Sequence, residues 1–274
     1  LQLLPKNFSG FINRFFDKFL LNSMVSLSAV GVFSIGQNVS NGMSTLMTSV
    51  GSSFSHLYYR DVFDRGAEAS QSTGRLFTIF SFLSLLPIMI LILFAPEIVS
   101  VLAPPSYYEA IDLIVILCAG MATFVFGKFV GVQYSYSNKA YLIFPITLAA
   151  LAVNIILNIV LIPRYGLIGA AFSAYGSAWV SNVLITVVGQ RLYPIRYDWG
   201  IIFLLQGHIV LSMLFALAVR WVVTLDWAPL YSIKVIFFGA YLFIGVRANI
   251  VTAKNIRRVL EIFRFASKPT APVV

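Results

Sequence analysis

Residues 31–56 read GVFSIGQNVSNGMSTLMTSVGSSFSH. The run is long enough to cross a bilayer, because about 20 residues of helix traverse roughly 30 Å of hydrocarbon. It is not uniformly apolar. Ser34, Gln37, Asn41, Thr45, Thr48 and Ser52 recur every three or four residues, the period of an α-helix. Such a stripe either hydrogen-bonds to packed neighbours or faces water. It is longer than packing usually needs, so a hydrated face is expected.

The stretch just upstream, roughly residues 8–29, sharpens this reading. Gly10, Asn13, Arg14, Asp17, Lys18 and Asn22 share one helical face, with Phe11, Phe15, Phe19 and Leu20 on the other. Charges at membrane depth are costly and normally face a cavity or a partner. This face is expected to line a cavity. The alternative is that Arg14, Asp17 and Lys18 neutralise one another and only hold the bundle.

Further out, apolar stretches recur along the whole chain. Their limits are roughly 8–29, 31–56, 74–95, 110–134, 140–162, 166–188, 200–222 and 229–248, about eight spans in all. The predicted fold class is therefore all-α, a polytopic membrane helix bundle over residues 1–250, followed by a basic tail at 251–274. Composition agrees: 59% of residues are hydrophobic and 11% charged, where a soluble domain carries about 25% charged. No loop is long enough to fold as a soluble domain. The chain opens at Leu1 directly into a charged span, and is expected to be the C-terminal part of a longer protein.

The net charge of +9 is unevenly spread. With the N-terminus inside, Lys6, Arg60, Arg65, Arg75, Lys139, Arg191, Arg196, Arg247 and the basic tail fall on the cytoplasmic side. Only Arg164 and Arg220 fall in outer loops. The positive-inside rule supports this orientation, with a cytoplasmic C-terminus. The basic balance then reads as topology and contact with anionic lipid, and no nucleic-acid partner is expected. Cys118 is the one cysteine, so no disulfide forms within the chain.

Several local expectations follow. Residues 57–73 form either a solvated connector or an amphipathic helix at the interface. The third span, uniformly apolar with a kink at Pro87, is expected to face lipid. Gly120, Gly127 and Gly131 allow close helix approach, as do the small residues Gly166, Gly169, Ser173, Gly176, Ser177 and Ser181. Lys128 either snorkels to the interface or binds an anion, and Lys234 is expected to snorkel. His208 is expected to be packed or hydrogen-bonded rather than a proton relay.

No HExxH, P-loop or GxSxG motif is present, and the acidic residues are scattered. An enzyme is not expected, and neither a metal nor a cofactor is implied.

One segment carries a family resemblance. Asn154–Ser173 reads NIILNIVLIPRYGLIGAAFS. This resembles the C-terminal half of bacterial polysaccharide (O-antigen type) flippases, within the multidrug/oligosaccharidyl-lipid/polysaccharide exporter superfamily. The matching positions are Asn154, Asn158, Leu161, Ile162, Pro163, Gly166, Gly169, Ala170 and Ala171. The stretch Asp17–Asn41 also looks like the family, which carries an Asp in its seventh span and a G-x-[YF]-x-x-[AG] turn into the eighth. Asp17, Gly31, Phe33 and Gly36 fill those places.

The resemblance implies the seventh to fourteenth spans of a fourteen-helix transporter, working with a missing N-terminal half in a bacterial or archaeal cytoplasmic membrane. It implies a cargo of polyprenyl-pyrophosphate-linked glycan, flipped by alternating access for polysaccharide biosynthesis. Arg14, Lys18 and Lys128 would face the pyrophosphate, since Arg and Lys suit phosphate oxygens. Gln37, Asn41, Thr45, Asn154 and Asn158 would face the sugars. Asp17 would couple a proton or sodium ion, or else hold Arg14 and Lys18 in place. The competing readings are a multidrug or metabolite cation antiporter of the same superfamily and, more remotely, a membrane enzyme of envelope glycan assembly.

Overall fold

The computed structural model describes residues 16–102, 104–221, 227–252 and 255. The elements are α1 (16–24), α2 (Leu27–Arg65), α3 (Ser70–Leu93), α4 (Ala95–Leu102), α5 (Ala110–Ala122), α6 (Phe124–Tyr136), α7 (Ile143–Leu192), α8 (Trp199–Trp221) and α9 (Trp227–Arg247). Short 3-10 turns occupy Gly66–Ala69, Pro105–Tyr107 and Ala140–Leu142. No strand occurs among the described residues. The stretches long and apolar enough to cross a membrane are Leu27–Leu93, Ala110–Tyr136, Ala140–Leu192, Trp199–Arg220 and Pro229–Arg247. The chain is an all-α membrane helix bundle, as its composition predicts.

Two of these stretches fold back on themselves, each at a glycine. Gly66 has φ +54° and Gly166 has φ +55°, the left-handed region that a Cβ disfavours. At the second reversal the return is very tight. A Cβ on Gly169 would lie 2.3 Å from the carbonyl oxygen of Leu161. In a straight helix those residues would be about 12 Å apart at roughly 1.5 Å per residue. Pro163, which cannot donate a backbone hydrogen bond, weakens the helix just before the turn. Residues up to about 165 and from about 167 are thus the expected fifth and sixth spans, packed as a hairpin. Gly176 extends the contact, with a Cβ there 3.0 Å from Leu157.

The Asp17–Asn41 region departs from expectation. The turn lies at Val25 and Ser26, not at Gly31–Gly36, which sits inside α2. Ser26 caps the helix by accepting from the Ala29 N–H at 3.1 Å. Gly36 serves packing instead: a Cβ there would come 3.1 Å from Leu113 of α5. Residues 57–73 are not a separate connector. They are the end of α2, a 3-10 turn and the first turn of α3.

The third span is the clearest correction. Far from facing lipid, α3 is the centre of the described bundle, packed against α2, α5, α6, α8 and α9. Leu76, Phe77, Phe80, Leu85, Ile88, Met89 and Ile92 are buried. An apolar surface meets a neighbouring helix and a lipid tail on similar terms, so hydrophobicity alone does not tell one from the other. Shape does: Phe77 and Phe80 lie 5.2 and 5.3 Å from Phe129 of α6, centroid to centroid, and Phe54 of α2 lies 5.8 Å from Phe80.

α5 and α6 form one crossing with a polar joint at Thr123. The Thr123 hydroxyl donates to Gly120 O at 2.8 Å and accepts from Asn182 Nδ2 of α7 at 3.0 Å. Gln206 of α8 donates to the Ala122 carbonyl at 2.9 Å.

Candidate functional site

α2 presents the polar stripe to the outside of the described bundle. Its buried face carries Val32, Phe33, Gly36, Met47, Gly51, Phe54 and Tyr58. Asn41, Thr45, Thr48 and Ser52 are exposed, while Ser34 and Gln37 are half-buried. Apart from one bond that Thr48 accepts from α6, hydrogen bonds to neighbouring helices do not explain the stripe. Thr45, Thr48, Ser49, Ser52 and Ser53 each donate to the carbonyl four residues earlier, at 2.8–3.2 Å. Each hydroxyl thereby places its proton and keeps lone pairs facing outward, so the face is rich in acceptors. The contrast with α7 is sharp: there the exposed residues include Leu148, Ile156, Ile159, Val160, Val183 and Val187. One helix shows lipid an oily surface; the other shows a surface that needs water or a polar partner.

Lys128 joins this face from α6. Its ammonium donates to Thr48 Oγ1 at 2.8 Å. Its backbone carbonyl accepts from Tyr58 Oη at 3.1 Å, which fixes α6 against α2. The side-chain stem crosses α2 where Gly51 leaves room, with Cδ 3.6 Å from the position a Cβ would take. Lys128 therefore reaches across to the polar stripe and does not snorkel. The segment from Asn38 to His56 contains no carboxylate, so the described part of this face is cationic.

A second polar group is closed off within the bundle. Asp17 of α1 is 4% exposed, and Asn154 and Asn158 are 1% and 0% exposed. Asn158 Nδ2 donates to Asp17 Oδ1 at 2.6 Å and to Asn154 Oδ1 at 3.0 Å. Asn154 Nδ2 in turn lies 3.4 Å from Ser177 Oγ. The spacing of four residues puts both amides on one helical face, and the tight hairpin brings Ser177 opposite them. Asn158 Oδ1 is buried without a partner among the described residues. A carboxylate, amide oxygens and a hydroxyl form a hard-oxygen set, the type that suits a proton or an alkali cation rather than a soft metal. Asp17 thus turns to Asn158 on the fifth span. Lys18 is half-buried beside it. Arg14 and Asn13 lie outside the described residues, as does nearly all of the 251–274 tail.

The structure brings Thr48 and Lys128 together, and separately Asp17, Asn154 and Asn158. It does not merge these into one open cavity. The contact of Ser177 with Asn154 is hidden in the sequence, where the small-residue ridge around Ser177 is accounted for by packing alone. Glu97 was missed entirely. Lys234, expected to snorkel, is 3% exposed and pairs with Glu97 of α4. The aromatic rings of Phe94 and Tyr231 stand 4.9 and 5.2 Å from its ammonium. Reaching the interface is needless when a carboxylate is within reach. Nearby, Arg220 of α8 pairs with Asp112 of α5 at 2.5 Å. His208 is packed between Phe237 and Tyr241, with Nε2 2.9 Å from the Phe237 carbonyl. No group of three or more His, Cys, Asp or Glu suited to a metal occurs among the described residues.

The fold is similar to that of VcmN, a MATE transporter of Vibrio cholerae, in its bent form. The TM-score is 0.57 and the identity 17%, over 95% of this chain and 67% of that one. No family model matches the sequence, and no curated protein matches it.

Proposed function

We propose that the protein is the C-terminal bundle of a membrane transporter that flips a polyprenyl-pyrophosphate-linked oligosaccharide across a cytoplasmic membrane by alternating access. The observation that carries this reading is the exposed face of α2. It is polar, rich in hydroxyl and amide groups, cationic through Lys128, and free of carboxylates from Asn38 to His56. The outward acceptors suit sugar hydroxyls, which can donate to them, and Lys128 supplies the charge that suits an anionic head group. A second bundle, supplied by an N-terminal half, would close the cavity, and the lipid tail would stay in the bilayer.

In this reading Lys18, Lys128 and Arg14 hold the pyrophosphate, while Gln37, Asn41 and Thr45 hold the sugars. Asn154 and Asn158, buried against Asp17, act on the sugars only if the hairpin opens during transport. Asp17 couples a proton or sodium ion. No catalytic step and no cofactor are needed, because flipping breaks no covalent bond. The alternative is a drug or metabolite antiporter of the same superfamily; the fold shared with a MATE transporter supports it.

The test is made in cells with the full-length gene deleted. Lipid-linked glycan should accumulate fully assembled while surface polysaccharide falls. Unchanged glycan with raised sensitivity to small cationic compounds would select the antiporter. Within the first reading, Arg14→Ala should abolish export while its membrane level stays intact.

A further inference from the structure

Between α6, the sixth span and α8 lies a groove of about 290 Å³, walled by Phe126, Trp179, Val183, Val187, Trp199 and Phe203, with Asn182 and Thr186 also on its lining and hydrogen-bonded within the protein. It is separate from the polar face of α2 and from the Asp17 cluster. Its walls are aromatic and branched aliphatic surface. Trp199 and Phe203 stack at 5.7 Å along one side, and Phe126 and Trp179 stand 6.2 Å apart on the other. Val183, Val187 and Phe203 are exposed, so the groove opens sideways, where a membrane helix meets lipid.

One end of the groove is basic. Trp179, Val183, Val187 and Arg191 are spaced by four and so form one stripe along the helix. Arg191 is the next step beyond the groove wall. Arg196 lies three residues before Trp199, in the segment joining α7 to α8. Both arginines are exposed, and neither makes a side-chain hydrogen bond or ion pair among the described residues.

The segment that carries Arg196 is held rigidly. Gln190 exchanges two 2.8 Å hydrogen bonds with the Ile195 backbone. Ser70 donates to Pro194 O and accepts from Arg196 N, both at 3.0 Å. Gly74 lets α3 meet the Arg196 carbonyl, where a Cβ would stand only 2.0 Å away. Asp198, two residues along the chain from Arg196, is engaged at the start of α8, accepting from Ile201 N at 3.3 Å. Two cations are therefore presented from fixed backbone at the mouth of an apolar slot.

The slot and the arginine one step beyond it together match the length of one leaflet. Trp179 to Arg191 spans roughly 18 Å at about 1.5 Å per residue, against roughly 15 Å for half a hydrocarbon core. We propose that this groove binds one anionic phospholipid of the cytoplasmic leaflet, its acyl chain along Trp179, Val183, Val187 and Phe203 and its phosphate on Arg191 and Arg196. The site depends on the membrane fold and the positive-inside orientation, not on what is transported.

Two of the four tryptophans line the groove, and they supply the readout. The chain carrying Trp221→Phe and Trp227→Phe is reconstituted in vesicles containing phosphatidylglycerol or phosphatidylcholine brominated on the acyl chain. Brominated phosphatidylglycerol should quench Trp179 and Trp199 at lower mole fraction. A preference of about fivefold per arginine is expected. Arg191→Ala with Arg196→Ala should remove the preference, and Arg191→Lys with Arg196→Lys should keep most of it. Equal quenching by the two lipids, or a preference that survives both alanines, overturns the proposal. So does stronger quenching by a brominated polyprenyl phosphate, which would make the groove a seat for a carrier tail.

Discussion

At the residue scale, the glycines of this chain divide into two kinds that sequence alone does not separate. Gly169 is pressed against the Leu161 carbonyl, whereas Gly207 has nothing within 4 Å of a Cβ. Gly169→Val should lower stability by about 2 kcal/mol or more, because the hairpin has to open to admit the side chain. Gly207→Ala should be neutral or stabilising by up to about 1 kcal/mol, since alanine favours helix. Thermal unfolding in detergent measures both, and equal effects would contradict the hairpin geometry. Lys234 gives a second test at this scale. Glu97→Gln leaves the buried Lys234 ammonium without its counter-ion, so that change should cost roughly 3 kcal/mol. Lys234→Met combined with Glu97→Gln should be milder than either single change, which a double-mutant cycle reads directly.

At the element scale, α2 and the two halves of α7 are all long enough to cross a membrane, yet they turn different surfaces outward. Cysteine scanning in a Cys118→Ala background distinguishes them. Cysteines at Asn41, Thr45, Thr48 and Ser52 should react with a membrane-impermeant maleimide in intact membranes. Cysteines at Ile156 and Ile159 should stay unlabelled until the membrane is dissolved. If the α2 positions are equally silent, the face is packed against a dry partner and not hydrated. Lys128 refines the test: Lys128→Met removes the one basic side chain reaching Thr48 from α6, and should slow labelling at Thr48 by lowering the local thiolate fraction.

At the scale of the whole molecule, the arrangement is a packed core around α3 with a polar face on one side and oily helices on the other. Arg60, Arg65, Lys139, Arg191 and Arg196 are exposed at the same end of the bundle, the end at which Tyr193 Oη donates to Gly66 O at 2.6 Å. A cysteine at Lys139 should therefore be labelled by an impermeant reagent only in inside-out vesicles. Labelling from outside would reverse the orientation, and with it the leaflet assigned to the groove lipid.

The all-α membrane class and the approximate spans, including the break between the fifth and the sixth, are legible in the residues taken in order. Those follow from local quantities, the length of the apolar runs and the 3.6-residue period. The α2 stripe is legible too, because a row of hydroxyls and amides in an apolar helix is a local pattern. Contacts between distant segments settle the rest: α3 is central, Lys128 reaches Thr48, Lys234 meets Glu97 from 137 residues away, and Asp17 is enclosed with Asn158 instead of lining an open cavity. In a bilayer the outside of the protein is as apolar as its core, so the contrast that tells inside from outside in water is missing. Which helix faces which partner is then set by shape and by a few long-range polar contacts, and neither is written in the order of residues along one span.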